Sequence, residues 1–426
     1  MTDENRALVA HLFRRAAFGA RPADLGAYAS RPYTAAVDDL LAAARQAASA
    51  TSSTAEPMTE PHLVSAQQAW LHSMVVSTSP LLERMILFLS NHFATAYDTS
   101  VNVDAASLTS QHAKFRKYGL GSFADLAHAM IDDKALACYL NNDRNRLEHP
   151  NENLARELME LFMLGPGNYS ESDVKEAARA LTGYKLQLVP PNTRPSLVYK
   201  DTLHDDGLKT ILGVTARFKP HDLVDVLLKQ PAAPRFIATK LVSYFVSSPP
   251  DDALVTTVAN TLRYGWDLGA AVQTILYSTQ FQSLGVRQVL AKTPGEYVAG
   301  LMRGLGGRTE YAQGITYMNA AGQILFKPPT VAGWDLGRRM LGPGAMLARY
   351  KAGAYFANLQ RTSPIAGLPT DPNIASWSEA FGMTSLSTDT NDALTTYLDS
   401  TKQQPTPVRV AGLITLLLSS SDFNLS

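Results

Sequence analysis

The chain has 426 residues, 46% of them hydrophobic and 18% charged, which suits two or three domains or one large helical body and excludes a disordered or fibrous chain. Its 38 basic residues balance 38 acidic ones, so the whole-chain charge gives no footing for nucleic acid or an anionic membrane surface. A single cysteine, Cys138, excludes an internal disulfide framework and any cysteine-rich zinc site, so packing must hold the fold.

The opening, MTDENRALVAHLFRRAAFG, carries acidic residues where a secretory leader carries basic ones. The chain as written is therefore expected in the cytoplasm, with export as the alternative if a leader has been removed. No run approaches the roughly 18 uncharged apolar residues of a spanning helix, so no membrane span is expected. Residues 6–46 show helical periodicity, interrupted near residues 19–22 and at Pro32, which gives an N-terminal helical segment over 1–46. Residues 47–61 are small and polar with two prolines and read as a linker or mobile loop. A main α-helical domain follows over 62–361, with LLERMILFLSNHF and SFADLAHAMIDDKALACYL apolar enough to be core. Within it, 185–220 changes character and predicts a small hairpin or an irregular excursion, and 320–345 an ordered glycine- and proline-rich loop. Residues 362–426 read as a loop-rich tail ending in a C-terminal helix, VAGLITLLLSS. The fold class is mainly α, a large multi-helix body.

Polar information is densest in HPNENLARELMELFMLGPGNYSESDVKEAARALTGY, residues 149–184. Pro150 suits a first helical position, Gly165 the left-handed residue after the last turn, and Ser170 with Asp173 a capping arrangement for a second helix. At 100° per residue, Leu154, Leu158, Leu161 and Phe162 share one face, while Glu152, Arg156 and Glu160 run along the other. Asn153 and Glu157 fall on the border between them. A carboxylate beside an apolar arc is partly desolvated, which raises its pKa toward the range of a general acid, so Glu157 is the leading catalytic candidate. The same charges also make a plain salt-bridged face with no chemistry.

A second cluster, His204, Asp205 and Asp206 before Gly207 with Lys209 close behind, suits a metal ligand set or a proton-transfer pair, or only a turn. Asn91 and His92 end an apolar helix, where a histidine is either a substrate contact or a hydrogen-bonded core residue. Trp334, in FKPPTVAGWDLG, is either an aromatic platform at a cleft edge or a core plug. Arg14 and Arg15 suit a clamp for carboxylate or phosphate, or buried structural pairing. Phosphate loops, dinucleotide fingerprints, the GxSxG elbow and HExxH are all missing from the sequence.

In order and wording, HLFRRAAFG, SNHFAT, HPNENLARELMELFMLG, YSESDVKEAARALTGY, HDDGLKTILG, PRFIATKLVSYFV, GQILFKPPTVAGW and LARY resemble a large bacterial family catalogued as a domain of unknown function, number eighteen hundred. The resemblance covers nearly the whole chain. It implies recurring polar positions at Asn91, His92, Asn151, Glu152, Asn153, Arg156, Glu157, Glu160, His204, Asp205 and Lys209. It also implies frequent export and a possible protein partner of sulfatase-like fold. The stretch after Trp334 lacks the second tryptophan of the family pattern.

These readings give three functional expectations. The first is a carboxylate-based acid/base hydrolase or transferase for a polar substrate, most plausibly a glycan. In it Glu157, Glu160 and Asp205 are catalytic, and Asn153, Arg156, His92, His204 and Trp334 bind substrate. It needs no cofactor. The second gathers a divalent metal on His92, His204, Asp205 and one glutamate, with a metal-bound water as nucleophile. The third is a non-enzymatic helical scaffold or accessory protein.

Overall fold

A computed structural model describes residues 3–50, 62–188 and 194–426. Among these residues there are 22 α-helices and two small antiparallel hairpins, so the protein is mainly α. Two helices that are buried on nearly every side lie deepest. In Pro80–His92 every residue except Asn91 is buried, and in Pro294–Gly304 every residue is. Gly300 permits the second helix its close approach, since a methyl group there would sit 2.6 Å from the Phe18 carbonyl oxygen.

Three of the charges on these two helices are paired with opposite charges, and the fourth, Arg303, donates to the Met74 and Val75 carbonyls. Glu83 receives a two-pronged bond from Arg116 at 2.6 and 3.0 Å, and Arg84 pairs with Glu296 across the interface. A single apolar cluster collects Val9 and Leu12 from the N-terminal helix, Leu158 and Phe162 from the acidic stretch, and Leu413 and Leu417 from near the C-terminus.

The region 185–220 forms both of the hairpins. Tyr184–Leu188 pairs with Pro195–Tyr199, and Lys209–Ile211 with Val214–Ala216. The loop 201–208 between them carries the His204 cluster. Elsewhere the helix over Tyr33–Ala50 continues four residues past the expected N-terminal segment; the rest of the linker, 51–61, lies outside the described residues. The expected loop-rich tail contains a regular helix, Thr388–Ser400, started by the Ser387 side chain accepting from the Thr390 amide. Its mostly polar residues hid it: Thr390 and Leu394 are its only buried positions, too few for an apolar stripe to show.

Among the described residues no helix is long and apolar enough to cross a membrane.

Candidate functional site

The acidic stretch folds as two joined pieces. An α-helical turn, Asn153–Glu157, begins three residues later than Pro150 suggested, and a wider π-helical segment, Leu158–Met163, continues it. Leu154, Leu158 and Phe162 are buried as the periodicity requires. Gly165, at φ +81°, ends the element, and Ser170 with Asp173 forms a reciprocal capping box for Glu171–Ala180.

The π segment leaves carbonyls without the usual partners, and distant residues supply them. The Leu161 carbonyl accepts from Lys240 Nζ at 2.7 Å, and the Phe162 carbonyl accepts from His92 Nε2 at 2.9 Å. Lys240 Nζ also lies 3.2 Å from His92 Nδ1. Because a carbonyl can only accept and an ammonium can only donate, His92 is the neutral Nε2–H tautomer. Burial, and then the charge of Lys240, hold its pKa well below the ordinary histidine range.

The residue before it fastens the tryptophan loop. Asn91 Oδ1 accepts from the Trp334 amide at 2.6 Å. Adjacent side chains at one helix end therefore anchor both the Trp334 loop and the acidic helix. Trp334 itself is buried, and it forms part of the wall of a depression of about 300 Å³ with Pro329 and Arg339.

Glu157 is half-buried. Burial, reinforced by the charge of Glu160 and opposed by Arg156, pushes its carboxyl up. Glu160 accepts from the Tyr169 hydroxyl at 2.7 Å. Burial, and then that bond, push the Tyr169 hydroxyl to about 12, so it remains a donor. Arg156 spans Glu171, at 2.7 Å through two nitrogens, and Glu152, at 3.1 Å. Asn153 is exposed beside them.

His204 and Asp205 belong to a different construction. Arg179 bonds Asp205 at 2.7 and 3.2 Å, and the Gly207 amide donates to the same carboxylate at 2.8 Å. Burial alone would raise Asp205, but the bonds from Arg179 and Gly207, with the charges of Arg179 and Lys209, outweigh it and hold the carboxyl below the usual range. Lys209 is buried with its ammonium on the Asp205 and Gly207 carbonyls. His204 Nδ1 sits 3.1 Å from the Thr182 carbonyl. Arg156 holds the first turn of the Glu171–Ala180 helix and Arg179 its last, roughly 12 Å apart at 1.5 Å per residue. The Glu157–Glu160 helix is thus tied to the first turn of that helix and Asp205 to its last.

Among the described residues no group of three or more His, Cys, Asp or Glu side chains is arranged to hold a metal ion. The four-ligand set of the second expectation is not gathered among the described residues: His92 is taken up by the Phe162 carbonyl, His204 by the Thr182 carbonyl and Asp205 by Arg179.

The chain matches the model of the family described as "Protein of unknown function (DUF1800)" over residues 11–425. The chain belongs to this family. Comparison with curated proteins and with solved structures gave no match. The family motifs quoted from the sequence supply most of the groups just described: SNHFAT the Asn91 and His92 anchors, PRFIATKLVSYFV the Lys240 ammonium, and YSESDVKEAARALTGY the arginine and glutamate near the two ends of one helix.

Sequence reasoning passed over Lys240 and Tyr169. Lys240 left a signal, as the lone lysine in an apolar helix; Tyr169 left only its place in the turn after Gly165. It also passed over a hydrogen-bonded chain joining two helices. Tyr184 donates to Asp132 at 2.6 Å, Asp132 lies 3.2 Å from His221 Nε2, the Nδ1 atoms of His221 and His128 are 3.0 Å apart, and His128 Nε2 is 3.0 Å from Asp225. These residues are spread over nearly a hundred positions, and no motif joins them.

Proposed function

We propose that the protein is an acid/base hydrolase or transferase acting on a polar substrate, a glycan first among the classes, with Glu157 as proton donor and Glu160 as the second carboxylate. The observation that carries the reading is the raised pKa of Glu157, half-buried beside a second carboxylate that a tyrosine hydroxyl fixes. Two carboxyls with unequal environments divide acid and base work. The charge of Glu160 acts on Glu157, so the two carboxyls are near enough to serve one substrate group.

In the chemistry this supports, protonated Glu157 gives its proton to the leaving oxygen as the carbon–oxygen bond breaks. Ionised Glu160 takes a proton from water while that water's oxygen bonds to the same carbon, or attacks the carbon itself and is released by water in a second step. Asn153 is placed to contact substrate. Arg156 is occupied by Glu152 and Glu171, and His92 by the Phe162 carbonyl, so both act by holding the acidic helix in place. Arg179 occupies Asp205 in the same way, which favours Glu160 over Asp205 as the partner carboxylate.

The test is release of reducing ends from a panel of polysaccharides and nitrophenyl glycosides. Glu157→Gln is expected to lower turnover on any accepted substrate by about 10²- to 10⁴-fold, with the melting temperature unchanged. Full turnover by that variant overturns the assignment.

A further inference from the structure

The buried interior holds more positive than negative side-chain charge in one place. Arg14 and Arg15 from the N-terminal helix meet Arg84, Lys292 and Arg349, all buried, and the buried carboxylates among them are Glu296 and Asp422. Counting the four arginines alone, four cations face two anions, an excess of two (4 − 2) in a chain whose total charge is zero, with Lys292 beside them.

Of the five, Arg84 alone pairs with a carboxylate among the described residues, that of Glu296. Glu296 has little left to offer the others, since its second oxygen accepts from the Thr293 amide at 2.8 Å. Arg14 donates to the Gly382 carbonyl, Arg15 to the carbonyls of Val246 and Val286, and Arg349 to Asn424 and to the carbonyls of Lys292 and Met340. Nε and Nη1 of Arg15 and Nε of Arg84 have no partner. Uncompensated buried charge is costly, and its mark is plain here: burial, then the neighbouring arginines, pull Arg15 down to about 9, and burial, then Arg14, pull Lys292 down to about 7.

This cationic cluster adjoins a cavity. A pocket of about 290 Å³ is lined by Arg15 and Arg84, by Ser243, Tyr244 and Thr293, and by exposed Arg338, and its wall also includes Glu296, whose carboxylate is taken up by Arg84 and the Thr293 amide. Guanidinium groups fork onto phosphate, sulfate and carboxylate oxygens, and hydroxyls complete such a shell.

We propose that this pocket binds a small ligand through an oxyanion group, a phosphate first, held by Arg15 and Arg84 with Arg338 at the mouth. The site stands independently of the Glu157 reading and uses none of its residues. Arg15 of HLFRRAAFG thereby acquires a binding role rather than a purely structural one.

The full chain is titrated calorimetrically with inorganic phosphate, sulfate and acetate at constant ionic strength set with sodium chloride. Phosphate also stabilises proteins by exclusion from their surfaces, so the decisive reading is saturable heat with one site per chain and its change between variants. Wild type is expected to bind phosphate, Arg338→Ala to bind it about 5- to 10-fold more weakly, and Arg15→Met to lose more than about tenfold. Arg338 is exposed, so its variant keeps the test valid if Arg15→Met fails to fold. Sulfate matching phosphate assigns a tetrahedral dianion and acetate alone a carboxylate, and both support an oxyanion site. No saturable heat from any of the three, or binding that both variants leave unchanged, overturns the proposal.

Discussion

Lys240 Nζ and His92 Nδ1 lie 3.2 Å apart, and the two side chains together close the last turn of the helix that carries Glu157 and Glu160. A lysine from one helix and a histidine from another thus satisfy consecutive carbonyls of a π segment. Removing His92 leaves a buried carbonyl unbonded and removing Lys240 a partly buried one, which costs about 1 to 3 kcal/mol for the first and toward the lower end of that range for the second. His92→Leu and Lys240→Met are each expected to lower the urea midpoint by that order. Because they share one network, the double variant should lose less than the sum. Strict additivity would show that the two act separately.

Three buried histidines set the acid limit of stability. His11 and His92 are held well below the ordinary range and His112 at about 3, burial being the first cause in each case. Unfolding returns each to about 6.5, so between the two values the unfolded chain binds more protons than the folded one. Their contribution is complete above pH ~6.5 and is lost as pH falls toward the folded values. The histidine decline should set in below about pH 6.5; above it the melting temperature should still rise between pH 7 and 8, because buried Lys292, at about 7, and Lys240, at about 8, lose their protons in the folded chain while unfolding returns each to about 10.4. His112 packs 4.1 Å from the ring centroid of Trp70 and 4.4 Å from that of Phe326, so a phenylalanine ring keeps these contacts and gives up only the bond to the Ser90 hydroxyl, at 2.9 Å. His112→Phe should flatten the slope between pH 4 and 6 by about 1.4 kcal/mol per unit. An unchanged slope would place the acid sensitivity elsewhere.

Asp205 separates a structural role from a catalytic one. Its carboxylate receives Arg179 and the Gly207 amide and is held below the ordinary range, so its stabilisation is present at neutral pH and lost on acidification. Asp205→Asn should cost about 1 to 3 kcal/mol and speed amide hydrogen exchange in the Lys209–Ile211 hairpin, with turnover on an accepted substrate changed by less than about threefold. Loss of turnover at full stability would return Asp205 to the reaction.

Local chemistry in the sequence was legible, and long-range chemistry was not. Gly165 and the Ser170–Asp173 box act over three or four residues, and both stand where the residue types placed them. The border position of Glu157 likewise follows from periodicity alone. Pro150 misled, because a proline tolerated at a first helical position is tolerated equally in the extended chain before one. The π segment was illegible because what stabilises it, His92 and Lys240, comes from 70 and 79 residues away along the chain. Asp205 invited a catalytic reading because Arg179, which occupies it, is 26 residues distant on another element. The alternatives left open for Arg14 and Arg15 narrow only when Arg84, Lys292 and Glu296 are seen beside them, as three segments brought together by the two deepest helices.

The proton-donor role of Glu157 is tested without any substrate by following side-chain carboxyl carbons through a pH titration, using protein labelled at glutamate. One resonance should titrate above the usual glutamate value of about 4.3, vanish in Glu157→Gln, and move down in Glu160→Gln as the neighbouring charge is removed. A Glu157 carboxyl that titrates at or below that value, indifferent to Glu160, would contradict the account.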